Sequence, residues 1–294
     1  MTTTFSTVTN PNIKIKANKL VVDRAISKRI PSPLPGSKSD PKAFCWVLSA
    51  PPGSGKSTAL YSMLCEKGKG ARCYYKTFHN VFMIMPKESV RSLPEKHPLR
   101  SHPDERFYSD FDLETLEEIA ELVEEAAERG ERSCIVCDDV GSRLKQNRAL
   151  EKYFSFLVQT RRHRMLSFFI TLQNWNDMPL STRKNVSHVS FWKPLNKKET
   201  LNVWSEIINV EKDNLNALFD FVYTAKHNFL YCALYTGKIY KNFQEIKISV
   251  NANSNGSSKA KAANRDGIRT AAIDEGKGEG KDEGEGKGSK ASKD

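Results

Sequence analysis

The sequence predicts an α/β fold with a mostly parallel central sheet flanked by helices and a β-hairpin at the C-terminal end. Three observations predict it. Apolar runs of strand length alternate with stretches of helical periodicity over residues 43–192, the pattern of strands covered on both faces by crossover helices. The first apolar run passes through a Gly/Pro-rich turn straight into a helix-forming segment. From residue 229 onward the alternation gives way to two strand-forming stretches around Gly237, a hairpin pattern.

The elements follow in order. Residues 43–49 form a short apolar run ending at the turn, and residues 56–65 continue as a helix. Residues 74–85 supply strand material in one piece or two. Leu113, Leu116, Ala120, Val123 and Ala127 recur at helical spacing with glutamates opposite, and Gly130 stops the helix. The Glu-rich face is a solvated one. Residues 133–137 are a buried strand. Leu150, Tyr153, Phe154, Leu157 and Val158 make the next helical stripe, residues 166–172 another strand, and residues 187–192 a further one.

The 294 residues are enough for one such domain with tails. Residues 1–40, with Pro31, Pro33, Pro35 and Gly36 at their end, are expected to be an arm or linker, in which residues 13–22 could add an edge strand. Residues 41–250 are the expected folded domain. Residues 251–294, rich in Gly, Lys and Glu, have almost nothing to bury and are expected to be disordered.

Hydrophobic residues make up 38% and mean hydropathy is −0.55. No stretch reaches the roughly 20 apolar residues of a membrane-spanning helix, and residues 1–10 lack the pattern of a secretory signal, so an intracellular site is expected. The net charge of +11 sits almost wholly on residues 1–250, because the tail carries nine Lys/Arg against eight Asp/Glu. A basic body is compatible with a polyanionic partner such as DNA. Cys134 and Cys137 have C-x-x-C spacing but lie inside an apolar strand, and no second ligand pair follows at zinc-site spacing. They are expected to be buried thiols.

The chemistry is carried by Ala50-Pro51-Pro52-Gly53-Ser54-Gly55-Lys56-Ser57-Thr58, which follows a strand and opens a helix. That is the setting of a Walker A loop, with Ala50 where the usual pattern has glycine. Pro52, Gly53, Ser54, Gly55, Lys56, Ser57 and Thr58 are the expected nucleotide-binding residues. The glycines let backbone N–H groups turn towards phosphate, and the helix N-terminus adds its dipole. Lys56 reaches the β/γ-phosphates, and Ser57 gives Mg²⁺ a hydroxyl. The strand at 133–137 ends in Asp138-Asp139, a Walker B pattern. Asp138 is expected in the Mg²⁺ shell, and Asp139 is placed to orient or deprotonate the attacking water. This predicts a P-loop NTPase that binds ATP with Mg²⁺ and hydrolyses it.

Asp138-Asp139-Val140-Gly141 also fits the D-x-x-G of GTPases, and Asn196-Lys197-Lys198-Glu199 resembles their guanine-reading N-K-x-D. That reader needs the shorter Asp where Glu199 stands, so GTPase is the less favoured reading. Gln173 ends the apolar strand at 166–172, where an amide can sense the γ-phosphate and position water. Arg161-Arg162-His163-Arg164 precedes that strand. It reads as a DNA-phosphate contact, as residues that in part serve the ATP site or, more favoured, as a helix C-terminus complementing the dipole.

The Walker A loop, the Asp138-Asp139 pair, Arg161 to Arg164, Gln173 and Pro179…Arg183-x-Asn185 together resemble the poxvirus-type genome-packaging ATPases of the FtsK/HerA superfamily, known from large DNA viruses, virophages and Polinton-like elements. The resemblance spans roughly half of the chain, residues 43 to about 192. It implies an additional-strand ATPase core in a homo-oligomeric ring that pumps double-stranded DNA into a preformed capsid. It also implies work in the host cytoplasm or viral factory, and an arginine finger, with Arg183 as candidate, acting on a neighbouring subunit's ATP. The sequence alone leaves open another nucleic-acid-dependent P-loop ATPase (helicase or AAA+ type) and a nucleotide-binding switch without motor activity. A small-molecule kinase ranks last, since no Arg-rich lid stands out.

Overall fold

A computed structural model of the chain describes residues 2–8, 26–67, 73–91, 93–208 and 210–251. The expected edge strand at 13–22 and the tail from residue 252 lie outside them. In chain order the strands are β1 (Thr2–Val8), β2 (Cys45–Ser49), β3 (Asn80–Ile84), β4 (Phe107–Tyr108), β5 (Ser133–Asp138), β6 (Leu166–Leu172), β7 (His188–Trp192), β8 (Phe229–Ala233), β9 (Lys238–Lys241) and β10 (Gln244–Asn251). The α-helices are α1 (Lys56–Cys65), α2 (Lys87–Arg91), α3 (Leu113–Glu128), α4 (Gly141–Gln146), α5 (Arg148–Thr160), α6 (Leu180–Arg183), α7 (Lys197–Glu206) and α8 (Leu215–Val222).

The strands form one sheet in the order β1-β10-β9-β8-β7-β2-β6-β5-β3-β4. From β7 to β4 every pairing is parallel; from β7 out to β1 every pairing is antiparallel. The parallel block bears out the fold class expected from the alternating pattern. Its strands are buried on both faces, and successive residues go to opposite cores. Cys45, Val47, Ile135, Cys137, Phe168 and Ile170 pack with α3 and α5, whereas Trp46, Leu48, Cys134, Val136 and Phe169 pack with α1 and residues 26–34. Cys134 and Cys137 are thus buried free thiols on opposite faces of the sheet.

The helices obey their apolar stripes. Asp112 caps α3, accepting from the Thr115 N–H at 2.9 Å, and Asn147 caps α5 through the Ala149 and Leu150 amides. On α3 the buried set is Leu116, Ile119, Ala120, Val123 and Ala126, so Ala126 takes the inner position expected of Ala127.

Three other expectations differ from the structure. Only β3 forms within residues 74–85; Tyr74 instead starts a turn closed by the Thr77 N–H, its buried ring stacked on Phe78. The C-terminal hairpin is present as β8 and β9, but its second arm breaks at Asn242, in the left-handed region at φ 56°. There the Asn242 side-chain oxygen accepts from the Phe229 N–H, and the chain restarts as β10. The Pro-rich stretch expected to be a linker is partly core: Ile26, Ile30 and Leu34 are buried. The Pro33 and Pro35 carbonyls accept from the Tyr231 and Tyr74 hydroxyls, and Asp40 pairs with the buried His188 at 2.8 Å. Sequence composition hid this because three aliphatic side chains among prolines carry no periodic signal.

Leu34→Ala is therefore expected to destabilise the protein by about 2–4 kcal/mol, read from chemical denaturation; a surface linker position would shift by less than about 0.5 kcal/mol.

Candidate active site

Strand ends position each candidate side chain. The Ala50 N–H donates to the Leu172 carbonyl at 3.0 Å, so the phosphate loop leaves β2 still pinned to β6. The Ser54 N–H then closes a turn onto the Pro51 carbonyl at 3.3 Å. Gly53 and Gly55 sit at φ 74° and 96°, where a side chain is strained. A Cβ on Gly55 would also come within 3.1 Å of the His227 ring. Gly55 is the N-cap of α1, without a side-chain cap, and the first turn carries no acid. The amides of Lys56, Ser57 and Thr58 thus form a positive helix end with no acidic side chain of its own turn beside them, a fit for phosphate.

The acids arrive from β5, with Asp138 opposite Thr171 of β6. Cys134 and Val136 face the α1 side, so strand alternation sends Asp138 there too. By the same rule Phe169 fixes the direction of Thr171 and Gln173. The Thr171 hydroxyl donates to Asp138 Oδ1 at 2.5 Å and accepts from the Asp139 N–H at 3.0 Å. Asp139 adopts φ 58°, a conformation Asp tolerates better than most residues. That turn brings its carboxylate to Gln173, whose Nε2 donates to Asp139 Oδ2 at 2.5 Å. Asp139 and Gln173 are both exposed.

Burial pushes the Asp138 carboxyl above the ordinary carboxylate range. The Thr171 hydrogen bond and the Lys56 ammonium work against that shift, and the Asp139 charge adds to it. Lys56 and Asp138 therefore interact electrostatically across β6. A half-buried carboxylate and the Ser57 hydroxyl are hard oxygen donors of the kind Mg²⁺ takes alongside phosphate and water. The desolvation that burdens Asp138 is what a divalent cation relieves.

Beside the loop, on the β7 side away from Asp138, lies a cavity of about 740 Å³ lined by Pro51 to Ser54, Trp192 to Leu195 and Tyr223 to Lys226. A smaller one of about 190 Å³ adjoins Asp138, Asp139 and Arg143.

Other sequence candidates fall elsewhere. Arg183 donates from Nη1 to Glu206 at 2.8 Å and lies 5.6 Å over the Trp175 ring, so within the subunit its guanidinium is engaged. Arg161 is buried and donates to the Val158 carbonyl at 2.6 Å, serving the C-terminus of α5; Arg164 pairs with Glu124 at 2.8 Å. Asn196 caps α7, accepting from the Glu199 N–H at 2.8 Å, and Glu199 is buried. The Asn196-to-Glu199 motif is thereby built into a helix start and is not free to read a guanine.

Two neighbours of the site went unnoticed in the sequence. Thr171 had a signal: a polar residue in an apolar strand, on the same face as Gln173. His227 had none. It follows α8 in a turn 173 positions from Ser54, whose carbonyl its Nδ1 contacts at 3.0 Å.

With β6 inserted between the strand that leads into the phosphate loop and the strand that ends in the acids, fold and site define a P-loop NTPase of the additional-strand class. The chain belongs to the poxvirus A32 protein family, which matches it over residues 38–235. Among solved structures it is similar to B204, the DNA-packaging ATPase from Sulfolobus turreted icosahedral virus, at 12% identity over 71% of this chain and 98% of that one, with a TM-score of 0.49. The genome packaging NTPase B204 of Sulfolobus turreted icosahedral virus 2, in complex with ATP-gammaS, is 10% identical over 68% and 96% of the two chains, with a TM-score of 0.46. EssC (ATPases 2 and 3) from Geobacillus thermodenitrificans is 10% identical over 74% and 41%, with a TM-score of 0.43. At such identities no residue role is transferable from them. No curated protein matches the chain significantly.

Removing the desolvated charge while keeping an acceptor for Thr171, Asp138→Asn is expected to raise the Tm of the nucleotide-free protein by a few degrees and to abolish Mg²⁺-dependent turnover. Calorimetry and a phosphate-release assay check the two halves separately.

Proposed function

We propose that the chain is an ATP-driven translocase that moves double-stranded DNA into a viral capsid. The observation that carries the reading is that β2, which leads into the Lys56 loop, and β5, which ends in Asp138, flank one inserted strand, β6, within the stretch that matches the A32 family. The amides of Gly53 and of residues 55–58, with the Lys56 ammonium, hold the phosphates. Ser57 and Asp138 would hold Mg²⁺, which would supply charge neutralisation to the phosphates. Gln173 and Asp139, already hydrogen-bonded to each other, orient the attacking water, and Asp139 takes up its proton. The cavity on the β7 side receives base and ribose, so the triphosphate runs from there towards β5. No described helix is long and apolar enough to cross a membrane, in keeping with work in the host cytoplasm or viral factory. The +10 charge on residues 1–250 favours a polyanionic track.

In a ring of such subunits Arg183 is the candidate finger for a neighbour's γ-phosphate, where a guanidinium fork stabilises the spread charge of the transition state. That role requires the neighbour's phosphate to draw Arg183 away from Glu206.

Steady-state turnover tests the reading. Double-stranded DNA is expected to accelerate ATP hydrolysis several-fold, with the gain shrinking as salt rises, and Lys56→Ala to lower kcat by about 10²–10³-fold. Turnover indifferent to every nucleic acid would sink the motor reading. Arg183→Lys keeps the charge and loses the fork; kcat falling about tenfold at unchanged nucleotide affinity is the result expected of a finger. Loss of thermal stability with kcat maintained would instead mark a purely structural partner of Glu206.

A further inference from the structure

Among the described residues the mechanism leaves one buried carboxylate unused. Glu199 is the third residue of α7, only 4% exposed. Its backbone N–H is taken by the Asn196 side chain, the first half of a capping box. Its carboxylate, however, reaches across the chain. Oε1 accepts two hydrogen bonds, from the Trp175 backbone N–H at 2.8 Å and from the Ser49 hydroxyl at 3.3 Å. Ser49 is the last residue of β2, immediately before the phosphate loop, and Trp175 stands two residues beyond Gln173. Ser49 shares the face of Cys45 and Val47, so Glu199 works from the side of the sheet opposite α1. The chain of contacts continues: Trp175 Nε1 donates to Glu206 at 2.9 Å, and Glu206 holds Arg183. Burial pushes the Glu199 carboxyl upward and the two donated hydrogen bonds pull it back; both donors need an acceptor oxygen, and neither needs a charge.

We infer that Glu199 is a positioning residue, a strut behind the sheet that locks the strand entering the phosphate loop to the turn following Gln173 and so fixes the distance between bound triphosphate and attacking water. The inference rests on the ATPase reading above. Water misplaced by a fraction of an ångström slows an in-line displacement, while phosphate binding depends on the loop amides and Lys56, which Glu199 does not touch. The strut therefore governs kcat more than affinity.

The test uses the full chain and measures ATP turnover, the Kd of a fluorescent ATP analogue and Tm for Glu199→Gln, Glu199→Ala and Ser49→Ala. Glutamine keeps the acceptor oxygen, so Glu199→Gln is expected within about twofold of wild-type kcat, whereas Glu199→Ala loses about tenfold or more with Kd changed less than about threefold. Ser49→Ala removes one donor and loses about threefold in kcat alone; it decides the matter if Glu199→Ala does not fold. Undiminished turnover in a folded Glu199→Ala or in Ser49→Ala overturns the inference, as does Glu199→Gln failing as badly as alanine. A wild-type chain with no ATP turnover overturns the ATPase reading itself, and the strut with it.

Discussion

Asp138 is held where burial disfavours its charge and where a lysine and a threonine hydroxyl restrain that penalty. Much of the architecture follows from this one constrained carboxylate. It must stand at the end of a strand to reach the phosphate side, and that strand must be covered on both faces to bury it. It must also lie one strand away from β2, so that Thr171 of β6 can sit between acid and loop. The three-layer arrangement, with α1 on one face and α3 and α5 on the other, is the packing solution that allows all three.

The division of labour between the two faces is equally physical. The α1 face carries the groups assigned to the phosphate site in the proposed reading: the glycine turn, Lys56, Asp138 and Gln173, with Thr171 bonded to Asp138. At the margin of the opposite face Trp175 gathers three side chains: its backbone N–H donates to Glu199, its indole Nε1 donates to Glu206, and Arg183 lies over its ring. A single strand end serves both, since Ser49 points one way and the loop that follows turns the other.

Much of this was legible in the residues themselves. Burial on both faces of β2, β5 and β6 produces continuous apolar runs, and the glycines of the phosphate loop announce backbone angles other residues resist. What stayed hidden depends on distance in the chain. Nothing near His227 predicts that it meets Ser54, and nothing in residues 26–40 predicts that prolines offer carbonyls to Tyr74 and Tyr231. The hairpin break at Asn242 is a local event, yet its driving contact is with Phe229 across the sheet. Arg183 reads as an exposed loop cation until Glu206, 23 residues later, closes on it.

The pairing of β1 with β10 joins Thr2 to Asn251, the most widely separated partners in the sheet. Of the strands in this sheet Thr2–Val8 leaves the ribosome first, and it has no ladder to join until Gln244–Asn251 emerges. Sealing of that border is thus the last pairing of this sheet that a growing polypeptide can make. A chain cut before Gln244 would leave the β9 backbone donors and acceptors on that side bare, open to pairing with other chains.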